Sequence, residues 1–180
     1  MGDLSGIWFP MKRADLEHVL RAAGAITGLR EWVVIGSQSI LGSHPDAADE
    51  LLVSQEVDLY SPEDESASDL IDGSIGEKSP FHESFGYYAH GVGPETATLP
   101  LNWRERAFIV ETSGTQGSVG ICPDPADLAI SKIAAWREKD RAFVEALLSH
   151  EITTREKIHD LLDELPKDTA ELVRARLGRS

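Results

Sequence analysis

Val33 to Tyr60 reads VVIGSQSILGSHPDAADELLVSQEVDLY. Trp32-Val33-Val34-Ile35 is a short unbroken apolar run, the pattern of a buried strand. The run stops at Gly36-Ser37. A helical turn is expected over Ser39 to Gly42, and His44-Pro45 breaks it. The stretch ends in Glu56-Val57-Asp58-Leu59-Tyr60, which alternates. Side chains on a strand have a period of two, so Glu56 and Asp58 share one face and Val57 and Leu59 point the other way, to a core. Two carboxylates side by side repel, and such a pair calls for a cation, a shared proton or free solvent. The small Gly36-Ser37 turn lets backbone come close to an anionic group. The parts together point to a site for phosphate and metal.

The totals set the frame. At 180 residues one domain is expected, with an α/β core over 1–122 and a helical part over 123–180 packed on it. An apolar fraction of 41% is enough for a real core. Seventeen Lys and Arg stand against 31 Asp and Glu, a net charge of −14. That argues against nonspecific coating of nucleic acid, which relies on a basic surface. One cysteine, Cys122, leaves no disulfide framework and no cysteine zinc site. No signal pattern opens the chain and no apolar run approaches 18 residues, so a cytoplasmic protein without membrane contact is expected.

Along the chain, 13–23 reads as a helix with Leu16, Val19, Leu20 and Ala23 as its apolar stripe, ended by Gly24 and Gly28. Trp8 and Phe9 before it are expected to pack on the body. A short helix fits within 63–72, a strand within 86–92, and a loop between them. Ala107 to Glu111 and Val119 to Ile121 read as hairpin partners. Pro123-Asp124-Pro125 introduces one long helix over about 126–149. Thr153 and Glu156 have capping-box spacing before a helix over 154–164, and Asp168 caps a last one to about 177. The fold class expected is α/β (α+β): a small mixed sheet flanked by helices, with a helical C-terminal third.

Placed at 100° per residue, Ile133, Trp136, Val144 and Leu147 fall on one arc of the long helix, centred near Asp140, with Lys132 and Arg137 flanking it. A carboxylate amid an apolar face needs a partner. Either Asp140 belongs to a buried salt bridge, or Lys132 and Asp140 face the cleft beside the carboxylate strand. In the second case Lys132 meets a phosphate as a point charge and Asp140 orients it or acts on the attacking group.

These residues carry a resemblance. Strand, Gly-Ser, spacer, then carboxylate–apolar–carboxylate resembles the polymerase-beta-like nucleotidyltransferase superfamily. PADLAISKIAAWREKDRAFVEALL is similar to the helix of toxin-type nucleotidyltransferases of the abortive-infection (AbiEii) group. The runs GSQSILG, SQEVDLY, GEKSPFHESFGYYAHGV, LPLNW and DLAISKIAAWREKD resemble a bacterial family of nucleotidyltransferase-like proteins over about residues 20–150. The resemblance implies that Gly36, Ser37 and Lys132 hold a nucleoside triphosphate and that Glu56 and Asp58 bind Mg²⁺. Catalytic roles would fall to Glu56, Asp58, Lys132 and Asp140. It implies transfer of a nucleoside monophosphate to an RNA such as tRNA, a protein or a small molecule, and a place in a toxin–antitoxin or phage-defence pair with a cognate antitoxin or other partner protein. Two departures stand out. Glu56 replaces the usual Asp, and the spacer from Ser37 is long. Glu111 is the best candidate for a third metal carboxylate. The alternative is a degenerate domain that binds nucleotide or a protein partner without catalysis.

Other residues have plainer readings. His82, Glu83 and His90 fit no standard ligand spacing and are expected in a packed loop. Phe81, Tyr87 and Tyr88 either fill the core or stack a base. Trp103, Arg104 and Arg106 form salt bridges or contact a triphosphate. Cys122 is expected to be a small buried residue.

Overall fold

The computed structural model describes residues 9–179. Five strands make one mixed sheet: β1 (Glu31–Ile35), β2 (Glu56–Tyr60), β3 (Tyr88–Gly91), β4 (Phe108–Val110) and β5 (Val119–Cys122), in the order β3-β2-β1-β5-β4. β2 and β3 are parallel, as are β1 and β5. β1 with β2 and β4 with β5 are antiparallel, the last pair being the hairpin expected from the sequence. The α/β class with a helical C-terminal region is as expected.

β1 sits at the centre because both its faces are apolar. Trp32 and Val34 join the main core, while Val33 and Ile35 pack with Tyr60 and Val92 on the other side of the sheet. α1 (Arg13–Thr27) supplies Leu16, Val19, Leu20 and Ala23 to the main core. It runs through Gly24, which lies too close to Ser118 for a side chain, and ends at Gly28 in the left-handed region. β2 divides as alternation requires: Val57 and Leu59 are fully buried in the main core, and Glu56 and Asp58 are half-buried on the opposite face.

α2 (Ala67–Ile75) and α3 (Pro80–Phe85) connect β2 to β3. α3 falls where a loop was expected. Ser79 caps it by accepting from His82 N–H, with Pro80 in its first turn. α4 (Trp103–Arg106) precedes β4.

The long helix expected over 126–149 is two helices, α5 (Pro125–Ala135) and α6 (Glu138–Ser149). Trp136 is left-handed at φ 57° and ends α5, and Arg137 is extended. Asp140 then reaches back to accept from Arg137 N–H at 3.0 Å and starts α6. α7 (Arg155–Asp160) is capped by Thr154, one residue later than expected, and α8 (Lys167–Leu177) closes the chain. Thr153 is buried instead. Phe9 is 72% exposed, and Trp8 lies outside the described residues.

Candidate active site

β1 ends at Ile35, whose register partner on β2 is Asp58. The turn after Ile35 therefore lies beside that carboxylate. Gly36 has φ 77° and ψ −174°, and a Cβ there would stand 2.6 Å from Asp58 Oδ2. Only glycine accepts both the dihedrals and the approach. Ser37 begins a 3-10 turn through Gly42. It lines a cleft of about 570 Å³ together with Glu56, Asp58 and His90. Lys132, Arg137, Lys139 and Asp140 line the same cleft.

The parallel register of β2 and β3 sets Tyr88 beside Glu56 and His90 beside Asp58. Tyr88 donates its hydroxyl to Glu56 Oε2 at 3.0 Å. His90 Nδ1 lies 3.0 Å from Asp58 Oδ1 and 3.6 Å from Glu56 Oε1. Burial pushes the Asp58 carboxyl up to about 6, helped by its hydrogen bond to Glu56 and by that neighbour's charge. Burial also opposes ionisation of Glu56, but hydrogen bonds from Asp58 and Tyr88 and the charge of His90 outweigh it, so Glu56 lies below the usual range.

Asp140 is fully buried. It accepts from Arg137 Nε at 2.7 Å and Nη2 at 3.2 Å, and lies 3.6 Å from Lys132 Nζ. Burial alone would raise it, yet the Arg137 bonds and Lys132 hold it below the usual carboxylate range. Burial lowers Lys132, against the pull of Asp140 and of Asp58 in the same cleft. The buried salt bridge and the cleft-facing lysine are thus one arrangement: Asp140 is paired, and both residues line the cavity.

Of the expected site residues, Ser37, Glu56, Asp58, Lys132 and Asp140 line one cleft, with Gly36 against Asp58. Glu111 does not. It follows β4 at the other end of the sheet, where the hairpin runs antiparallel, and its Oε1 pairs with Arg30 Nη2 at 2.7 Å. The third group beside the carboxylates is His90, on the strand expected within 86–92 but at a spacing from His82 and Glu83 that matches no standard ligand set. Its signal was parity with Tyr88 in a strand, readable only once β3 is laid parallel to β2.

The remaining candidates do not line the cleft. His82 Nδ1 accepts from Lys78 N–H. Phe81, Phe85 and Tyr87 cluster round His18, outside the cleft. Arg106 forks onto the fully buried Asp127 and onto Glu164, with distances of 2.8 to 3.0 Å. Arg104 lies over the Trp103 ring. Cys122 is fully buried, and burial pushes its thiol up to about 12.

The sequence model of a family described as a nucleotidyltransferase of unknown function, DUF6036, matches residues 14–175. The chain belongs to this family. No curated protein and no solved structure matches it. Nucleotidyltransferase chemistry implies a divalent cation, and the donor set fits one: one atom each of Glu56, Asp58 and His90 lie within 4.8 Å of one another. Among the described residues no helix is long and apolar enough to cross a membrane.

Proposed function

We propose that the chain is a Mg²⁺-dependent nucleotidyltransferase that moves a nucleoside monophosphate from an NTP to an RNA, protein or small-molecule acceptor. The supporting observation is convergence. Glu56 and Asp58, Ser37, and Lys132 with Asp140 come from three separate parts of the sequence and line one cleft. Glu56 and Asp58 would hold the cation, which when bound offsets charge on the attacking and leaving oxygens. Gly36-Ser37 supplies backbone close to the triphosphate. Lys132, with Arg137 and Lys139 in the same cleft, meets its negative charge. An acceptor oxygen bonds to the α-phosphorus, the bond to the β-phosphate oxygen breaks, and pyrophosphate leaves with that electron pair. Asp140 holds Lys132 in position through their ion pair.

The likeness to AbiEii-type proteins extends this reading to the toxin of a toxin–antitoxin or phage-defence pair, with a cognate antitoxin as partner. One feature favours a second reading, a degenerate domain that binds nucleotide only: Glu56 stands where the superfamily has Asp. The Tyr88 hydroxyl on Glu56 Oε2 bears on this, because it fixes the longer side chain facing Asp58.

Incubation with each labelled NTP, Mg²⁺ and total tRNA or cell lysate tests the proposal. Label transfer that disappears in Asp58→Ala is expected. Transfer untouched by that change overturns the carboxylate assignment. Mg²⁺-dependent NTP binding without transfer establishes the degenerate domain instead.

A further inference from the structure

The proposed reading places a cation on Glu56 and Asp58, and the third group facing that position is an imidazole. His90 arrives by register, directly beside Asp58 on the neighbouring strand. Two ligands each about 2.1 Å from an ion and at right angles stand about 3.0 Å apart, and wider angles open this toward 3.5 Å. The separations from His90 Nδ1, 3.0 Å to Asp58 Oδ1 and 3.6 Å to Glu56 Oε1, are close to those spacings. Tyr88 occupies Glu56 Oε2, so Oε1 is the oxygen turned to His90. A tyrosine that fixes a ligating carboxylate is the outer-shell support a metal centre uses.

We propose that His90 Nδ1 is itself a metal ligand, and that the centre is a mixed nitrogen–oxygen one that accepts Mg²⁺ but binds a first-row transition-metal dication such as Mn²⁺ more tightly. The inference rests on Glu56 and Asp58 being the metal carboxylates. Mg²⁺ is a hard cation that takes oxygen and gains little from imidazole. Transition dications bind imidazole well and strengthen along the series from Mn²⁺. Carboxylate also suits Mn²⁺, which makes it the fitting probe for a site with two carboxylates and one histidine. The ring is half exposed, with a side-chain accessibility of 50%, so a coordinated ion keeps open positions on its solvent side for substrate oxygen.

The alternative is a histidine that only hydrogen-bonds to Asp58. Pulsed electron paramagnetic resonance separates the two, because a nitrogen bonded to Mn²⁺ modulates its spin echo. Chelator-stripped protein is loaded with Mn²⁺, with and without a non-hydrolysable NTP analogue. Nitrogen modulation is expected in the wild type and in His82→Gln, and none in His90→Gln. Competition with Mg²⁺ gives a second readout that needs no activity. His90→Asp makes the site all-oxygen, and its preference for Mn²⁺ over Mg²⁺ should fall roughly tenfold. Melting temperatures check that the variants fold. Mn²⁺ held without nitrogen modulation, or modulation unchanged in His90→Gln, overturns the ligand assignment and leaves the carboxylate site standing. No Mn²⁺ binding under either condition, or binding unchanged in Asp58→Ala, overturns the carboxylate site as well.

Discussion

Gly36 has no room for a side chain, and the reason lies in its neighbour. Its dihedrals, φ 77° and ψ −174°, belong to a region nearly closed to other residues, and a Cβ would press to 2.6 Å from Asp58 Oδ2. Gly36→Ala should therefore lower stability by about 1–3 kcal/mol and also weaken divalent-cation binding, since Asp58 has to turn away. Gly28→Ala is the matched control. Gly28 is left-handed at φ 74°, but nothing lies within 4 Å of its missing Cβ. It should lose about 1 kcal/mol and bind metal as the wild type does. Urea unfolding and a metal titration on both variants check this, and equal metal affinity in the two would mean that the contact with Asp58 does not matter. At this scale the sequence was informative about Glu56 and Asp58, because alternation alone fixes their common face. It was silent about His90 and Tyr88. They lie 32 residues from the carboxylates they touch, and strand register brings them there.

The corner between α5 and α6 shows what periodicity can and cannot give. A helical wheel puts Lys132 and Asp140 on one side of a continuous helix, but eight residues of α-helix rise about 12 Å, too far for contact. The break at Trp136 folds the two together, to 3.6 Å. No glycine or proline marks it. Tertiary contacts hold it: Arg176 donates to the carbonyls of Ile133 and Ala134 at 3.1 and 2.6 Å, and the guanidinium groups of Arg141 and Arg176 both lie within about 6 Å of the Trp136 ring centroid. A left-handed tryptophan held by an arginine from α8 leaves no local signal in the sequence. The expected cost of mutation follows from the pairing. Asp140→Ala removes the cap of α6 and leaves Lys132 buried without its ion-pair partner, so a loss of about 3–5 kcal/mol is expected. Lys132→Met keeps Asp140 bonded to Arg137 and should lose about 1 kcal/mol while abolishing most transfer. Chemical denaturation beside the labelled-NTP assay separates stability from activity. Equal destabilisation by the two changes would contradict this account of the corner.

At the scale of the whole molecule the sequence changes character near residue 123, from strands to helices, and that change marks element type rather than a boundary in the core. Leu16 and Leu20 of α1, Val34 and Leu59 of the sheet, Ile130 and Ile133 of α5, Leu147 of α6 and Val173 of α8 all belong to one buried cluster. The ion pair of Arg106 with the buried Asp127 also crosses residue 123, joining α4 to α5. The mixed sheet was legible as a class because each strand carries its own apolar pattern. Its order was not, since β1 pairs with β5, some 88 residues onward at Glu31 and Val119. The site inherits this dependence: carboxylates before residue 123 and Lys132 after it meet only if the shared core forms. Residues 1–122 alone would expose the part of the Ser37–Gly42 turn that α5 packs against. The full chain is therefore expected to unfold in one cooperative step, with tryptophan fluorescence and far-ultraviolet circular dichroism giving coincident urea midpoints. A chain cut after Cys122 is expected to lack a cooperative transition and to bind no nucleotide. Two separated transitions in the full chain, or a cooperative melt in the shortened one, would mean that the helical third is an independent unit docked on a core that stands without it.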